Sequence, residues 1–117
     1  MHCAVVPSKE LIAASTRPLL LSLLAEGDSY GYALIQRVKE LSGGKLLWSE
    51  GMLYPVLHRL EKDGLILSEW RDSEVGRRRK YYQLTKDGRH VAHEERTEWL
   101  SVHHTLEKLW RALPATA

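Results

Sequence analysis

Residues 76 to 85 read GRRRKYYQLT, so Arg77, Arg78, Arg79 and Lys80 stand in an unbroken row against Tyr81 and Tyr82. The chemistry such a run offers is electrostatic. Arg79 and Lys80 are placed to contact phosphate oxygens, and Arg77 or Arg78 at a turn to enter a minor groove, where arginine responds to narrowed width. From 77 to 90, six basic residues stand beside one acid, Asp87, a local charge of +5 in a chain whose formal net charge is only +2. A patch of that density is a footprint for a polyanion, although a charged, solvated hairpin would leave the same trace. Tyr82 shares its side of the chain with Leu84 and is expected in the core, which leaves Tyr81 on the other side, free to hydrogen-bond a phosphate.

A second candidate is SEGMLYPVLHRLEKD, residues 49 to 63. Ser49 is an N-cap, Gly64 a stop, and Met52, Leu53, Val56, Leu57 and Leu60 form one apolar face. The other face carries Glu50, Gly51, Tyr54, His58, Arg59 and Glu61. A helix with hydrogen-bonding groups early and basic groups late suits a major groove, and Ser49, Tyr54, His58 and Arg59 are its candidate contacts. Asn, Gln and Arg, which make bidentate base contacts, are scarce there, so specificity would rest on half-site spacing and DNA shape. A plain core helix is the competing reading.

Trp99 stands apart from both stretches. It suits dimer packing, because large aromatics are common at interfaces. Near a two-fold axis it would also face its own copy and sandwich a flat aromatic ligand, with Glu95, His103 or Asp28 supplying polar selectivity. Catalysis has no comparable support. His90 with His93, and His103 with His104, lack further ligands for a metal. Cys3 has no local base, GDSYG lacks the strand-to-helix context of a nucleophile elbow, and SGGK does not complete a phosphate loop. No catalytic residue, metal or cofactor is expected.

These residues need elements to hold them. SKELIAASTRPLLLSLLA, 8 to 25, predicts a helix capped by Ser8 with Leu11, Ala14, Pro18, Leu21 and Leu24 toward one face, and Pro18 is expected to bend or divide it. EGD makes a turn, and a second helix is predicted from about Ser29 to Leu41, closed by SGG. After the third helix the period changes to two: LILSEWRD and RKYYQLT read as strands joined by SEVG. Thr85 caps a last helix over 86–112. Three helices followed by a hairpin is the winged helix-turn-helix order: a mainly α fold with a small β-hairpin, here with additional N- and C-terminal dimerisation helices. One domain is expected over 1–117, with a winged body at 8–85 and a dimerisation helix at 86–112.

The last helix is long for a chain of 117 residues. Heptad positions a at Ala92, Trp99, Leu106 and Leu113 and d at Glu95, Val102 and Leu109 are apolar or small except for Glu95. Nothing within one chain is long enough to cover that stripe. A homodimer is therefore expected, with Leu11 of the first helix beside Ala92, Trp99, Val102, Leu106, Leu109 and Leu113. Cys3 is the single cysteine, which excludes an intrachain disulfide and fits a reducing cytoplasm. MHCAVVPSKE does not read as a signal peptide, and no apolar run is long enough to span a bilayer. A protein-interaction module without specific DNA binding is the alternative class.

SYGYALIQRVKE at 29 to 40, SEGMLYPVLHRLEKDGLI at 49 to 66 and GRRRKYYQLTKDG at 76 to 88 together resemble the PadR family of bacterial transcriptional regulators over nearly the full length. The single terminal helix is similar to that of its short-chain subfamily. The resemblance implies a homodimeric winged-helix repressor that binds an inverted-repeat operator upstream of an efflux or detoxification gene, and it supports Tyr54, Arg59, Arg79, Lys80 and Tyr81 as DNA contacts. Within the subfamily the chain looks most like the multidrug-binding repressors, in which paired tryptophans stack planar drugs in a pore between subunits. Trp99, eleven residues after Gly88, falls where that tryptophan would be, implying repression relieved by a small aromatic ligand.

Overall fold

The computed structural model of the chain describes residues 5–114. Cys3 and the last three residues of the C-terminal tail lie outside them. Helix α1 (Lys9–Glu26) begins where Ser8 Oγ accepts the Leu11 N–H at 3.2 Å. Of the two outcomes expected of Pro18, a bend or a division, the helix shows no division. A proline removes one ladder hydrogen bond, and Leu20, Leu21, Leu23 and Leu24 beyond it are buried and anchor the second half of the helix. The buried face is also rotated from the expected one: Leu21 and Leu24 are inside, whereas Leu11 and Ala14 are exposed.

Ser29 and Tyr30 form a two-residue strand, β1 (Ser29–Tyr30), so α2 (Gly31–Leu41) starts two residues later than its periodicity predicts. Helix α3 (Glu50–Lys62) is capped by Ser49 Oγ, which accepts the Met52 N–H at 3.2 Å, and it runs through Pro55 without interruption. Gly64, at φ 76°, supplies the left-handed backbone that turns the chain into β2 (Ile66–Asp72). β2 pairs antiparallel with β3 (Arg78–Leu84), from Ile66 opposite Leu84 to Asp72 opposite Arg78. β1 pairs with the other edge of β3, placing Tyr30 opposite Tyr81. The expected two-stranded hairpin is thus a three-stranded sheet in the order β1-β3-β2.

Helix α4 (Lys86–Ala112) begins where Thr85 Oγ1 accepts the Gly88 N–H at 3.0 Å. The core joins Leu20, Leu21 and Leu24 of α1, Leu34 and Val38 of α2, Leu53, Leu57 and Leu60 of α3, and Ile66, Tyr82 and Leu84 of the sheet. Trp48, in the connection before α3, is buried with them. Met52 and Val56 are only half-buried, so the apolar face of α3 is narrower than expected. From α4 only Val91 and Ala92 reach this core, beyond the buried Gly88 of its first turn. Farther along, the helix leaves the body and exposes its apolar residues.

Candidate nucleic-acid interface

Pairing of β1 with β3 builds a row of side chains across one face of the sheet. Tyr30 and Tyr81 meet edge to face with ring centroids 5.2 Å apart. The Arg71 guanidinium lies over Tyr81 at 4.6 Å and that of Arg79 over Tyr30 at 4.4 Å. Arg79 Nη1 also donates a hydrogen bond to Tyr30 Oη at 2.7 Å. At the far end of the row Arg71 donates to Asp28 at 2.9 Å and to Glu69 at 2.6 Å. Those hydrogen bonds, first that to Asp28, raise the Arg71 pKa above its already high ordinary value. Arg71 stays charged, with its charge offset by the two carboxylates, while no described carboxylate pairs with Arg79.

The other end of the row opens on a cleft of about 410 Å³ between α3 and the wing. Tyr54 and Glu50 of α3 line one side, Arg77, Arg78, Arg79 and Lys80 the other, and Tyr30, Gly31, Tyr32 and Trp70 complete it. Four cations face one acid. Gly31 is needed for this geometry, because a Cβ there would lie 2.5 Å from Tyr54 Oη. Gly76, at φ 83°, turns the wing tip that carries Arg77. Arg78 is held over Trp70 at 5.9 Å and lies 3.7 Å from Asp72. Backbone positioning needs such clustered cations at the edge of a surface helix, and the tyrosine hydroxyls are further groups able to bond phosphate oxygens.

Of the expected contacts, the structure gathers Tyr54 and the four wing cations around this one cleft. Ser49, His58 and Arg59 are exposed outside its lining. Arg59 makes an ion pair with Asp63 at 3.4 Å on the last turn of α3. Tyr82 is 1% exposed, as its pairing with Leu84 predicts. Tyr81 lies on the opposite side, but its ring is occupied by Tyr30 and Arg71. Sequence reasoning missed Tyr30, Tyr32 and Trp70. Their signal in the residue order is weak: Tyr30 falls inside the predicted second helix, and Trp70 in one of two alternating sets on a predicted strand.

A second region lies along α1 and α4. Arg17 Nε donates to Glu95 Oε2 at 2.9 Å and ties the two helices together. Beside this pair, Trp99, Leu100 and His103 of α4 and Leu11, Pro18 and Leu19 of α1 line an apolar cavity of about 460 Å³. His103 stands by Trp99 in this lining. Glu95 is engaged by Arg17, and Asp28 is held by Arg71 at the sheet and does not line this cavity. Along the expected seam, Ala92 packs on its own core, whereas Val102 is 58% exposed, Leu109 60% and Trp99 40%. Leu11, Leu106 and Leu113 are exposed too, as are Leu100 and Trp110, which the heptad assignment did not include.

A three-helix body, a basic three-stranded wing and a long terminal helix define a winged helix-turn-helix protein. The chain belongs to the transcriptional regulator PadR-like family, whose sequence model matches residues 20–94. It is 41% identical over 88 residues to a transcriptional regulator of Mycobacterium tuberculosis, covering 75% of this chain and 78% of that protein. Its fold is similar to that of a PadR-like transcriptional regulator from Bacillus cereus, with a TM-score of 0.80 and 28% identity over 90% of this chain and all of the other. A transcriptional regulator from Clostridium thermocellum superposes with a TM-score of 0.78 and 33% identity, over 88% of this chain and 97% of that one. Among the described residues no helix is long and apolar enough to cross a membrane.

Proposed function

We propose that this PadR-family regulator is a homodimeric repressor that binds an inverted-repeat operator in double-stranded DNA. The observation that carries the reading is the single cleft in which Tyr54 of α3 faces Arg77, Arg78, Arg79 and Lys80 of the wing. In this mechanism α3 enters the major groove, with Tyr54 leading and Ser49, His58 and Arg59 along its flank, while the wing cations hold phosphates or the adjoining minor groove. Residues 8–85 form the winged helix-turn-helix body, within which 29–85 read DNA. The helix over 86–112 supplies the dimer contact through Trp99, Val102, Leu106, Leu109 and Leu113, joined by Leu11, and sets two α3 helices roughly 34 Å apart on successive major grooves. A cytoplasmic setting follows from a promoter target.

The apolar cavity beside Trp99 favours a ligand-relieved form of repression. A small aromatic molecule seated there, close to the proposed dimer contact, weakens repression to the extent that it prefers the spacing of the two heads that does not fit DNA. An efflux or detoxification gene is the target class that such a sensor would control.

Fluorescence anisotropy of the purified chain with its own upstream DNA, a scrambled duplex and two salt concentrations tests the reading. The expected result is preferential, salt-sensitive binding of the upstream fragment, saturating at one dimer per site. Equal weak binding to both duplexes, at every salt concentration, would remove the operator assignment.

A further inference from the structure

Glu50 is the one acid in the lining of the cleft between α3 and the wing, where Arg77, Arg78, Arg79 and Lys80 stand opposite it. Yet no described cation takes it as an ion-pair partner: Arg78 lies by Asp72, and Arg59 of the same helix pairs with Asp63. Its carboxylate does not cap the helix either, because Ser49 Oγ accepts the Met52 N–H. Glu50 is exposed on the first turn of α3, and Tyr54 and His58 follow it at intervals of four on the same face. The next residue, Gly51, has no side chain, and a Cβ there would meet only Ser49 Oγ, at 3.8 Å. The first turn of α3 is therefore open and carries an unengaged carboxylate.

Such a carboxylate is costly in an interface built for a polyanion. It accepts hydrogen bonds and donates none, so phosphate oxygens repel it and only donors satisfy it. The donors that duplex DNA presents in the major groove are the exocyclic amines, cytosine N4 and adenine N6. For a carboxylate the two are not equivalent. Across an A·T pair, N6 lies between two acceptors, adenine N7 and thymine O4, whereas cytosine N4 has an acceptor, guanine O6, on one side only. Cytosine is thus the base that a carboxylate approaches against less repulsion.

We propose that Glu50 is a base-reading residue, its carboxylate accepting a hydrogen bond from N4 of one cytosine in each half-site. The inference rests on the operator-binding reading above and assigns a base contact to a helix poor in Asn, Gln and Arg. In helix-turn-helix docking the first residues of the recognition helix meet base edges, and Glu50 stands on that turn. The wing cations opposite offset the charge that it brings to the groove. A thymine at the same position would present O4, an acceptor, and be rejected. An acid on a first helical turn also complements the helix dipole, but that structural role predicts no change in base preference.

The test is selection of bound duplexes from a randomised pool by the full chain, by Glu50→Gln and by Glu50→Ala, followed by anisotropy on the enriched duplex. Both substitutions fall at an exposed position, where folding is little affected. The parent is expected to enrich a two-fold symmetric site with cytosine at one position of each half. Replacing one of those C·G pairs by T·A should weaken the parent about fivefold or more, the low end for a specific base contact, and leave Glu50→Ala nearly indifferent. Glu50→Gln, which can bond adenine N6 and N7 together, should move the preference at that position alone to adenine. Loss of the charge should also tighten both variants on unrelated duplex. Parent and Glu50→Ala enriching the same base at every position overturns the assignment, and a position where Glu50 selects adenine overturns the choice of cytosine. No enrichment by the parent at all removes the operator reading, and Glu50 as a reader with it.

Discussion

Tyr30 and Arg79 are joined twice, by a 2.7 Å hydrogen bond from the guanidinium to the phenol oxygen and by the guanidinium lying 4.4 Å above the same ring. The two contacts fix the plane of Arg79 as well as its position, and they attach the wing to the strand that leads into α2. In the proposed role of Arg79 as a phosphate contact, a side chain held in this way loses less rotamer freedom on meeting DNA. Tyr30→Phe keeps the ring and removes the acceptor. It is expected to weaken binding of the upstream duplex about three- to tenfold, the worth of ordering one long side chain that the bond otherwise holds in place. The slope of log affinity against log salt should stay unchanged, because no charge is lost. Arg79→Ala, by contrast, should lower affinity across all duplexes and reduce that slope by about one phosphate contact. A Tyr30→Phe protein that binds like the parent would show that the wing is held by strand pairing alone.

The elements around this pair differ in how plainly the residue order announces them. Ser8, Ser49 and Thr85 each lie three residues before the N–H that they accept, so all three helix starts were legible as local chemistry. The strands β2 and β3 were legible from alternation and from Gly76. Strand β1 was not, because two residues carry no period and their pairing is decided by Tyr81 and Tyr82 far along the chain. The Tyr30 to Arg79 bond spans 49 residues for the same reason. At Pro18 the residue order left a bend and a division open, and the helix runs on undivided because four leucines on the next turns are buried, outweighing one lost hydrogen bond. At the candidate site the row of cations was evident as composition, whereas the cleft that gathers them with Tyr54 depends on how α3 sits against the sheet.

Gly31 and Tyr54 yield a second prediction. A methyl at position 31 would lie 2.5 Å from Tyr54 Oη and 3.1 Å from Cζ, so Gly31→Ala forces the ring to swing within the cleft. The cost to the fold should be about 1–2 kcal/mol, that of modest overpacking at a side chain with room to move. The cost to DNA affinity should be larger, since Tyr54 is displaced from the wing. Tyr54→Phe removes the atom that clashes first, so in a double-mutant cycle Gly31→Ala should cost less in the Phe background than in the parent. Additive effects on affinity would show that the close approach of Gly31 and Tyr54 does not position α3.

Gly88 is the corresponding point for α4. Its Cα faces the Leu65 carbonyl so closely that a Cβ would overlap the carbonyl oxygen, and the same Cβ would sit 3.1 Å from Leu84 Cδ2. That carbonyl already accepts the Thr85 N–H at 3.0 Å, and Thr85 Oγ1 donates to the Gly64 carbonyl at 2.7 Å. The nearest atoms, the carbonyl oxygen and carbon of Leu65, are backbone and leave no flexible end to give way there. Gly88→Ala is expected to cost about 3 kcal/mol or more and to lower Tm by about 10 °C or more in thermal unfolding. A loss under about 1 kcal/mol would mean that α4 is free to tilt away from the body at its first turn.

Tyr82 makes stability depend on alkaline pH. Burial pushes its phenol above the ordinary tyrosine value, with the Glu61 carboxylate and a Tyr54 phenolate acting in the same direction. The folded state therefore holds this proton more tightly than the unfolded chain, whose tyrosines titrate near pH ~10. Stability from this group is full below that pH and is lost as pH rises through the folded value, because unfolding then releases a proton. Tyr82→Phe removes the effect while keeping a ring that is 1% exposed in the parent. Urea midpoints measured from about pH 8 to 11 should fall more steeply for the parent than for Tyr82→Phe, and the two should differ by no more than about 1 kcal/mol at neutral pH. Parallel curves would falsify the assignment of the alkaline loss to Tyr82 and leave the lysines and the exposed tyrosines as its source.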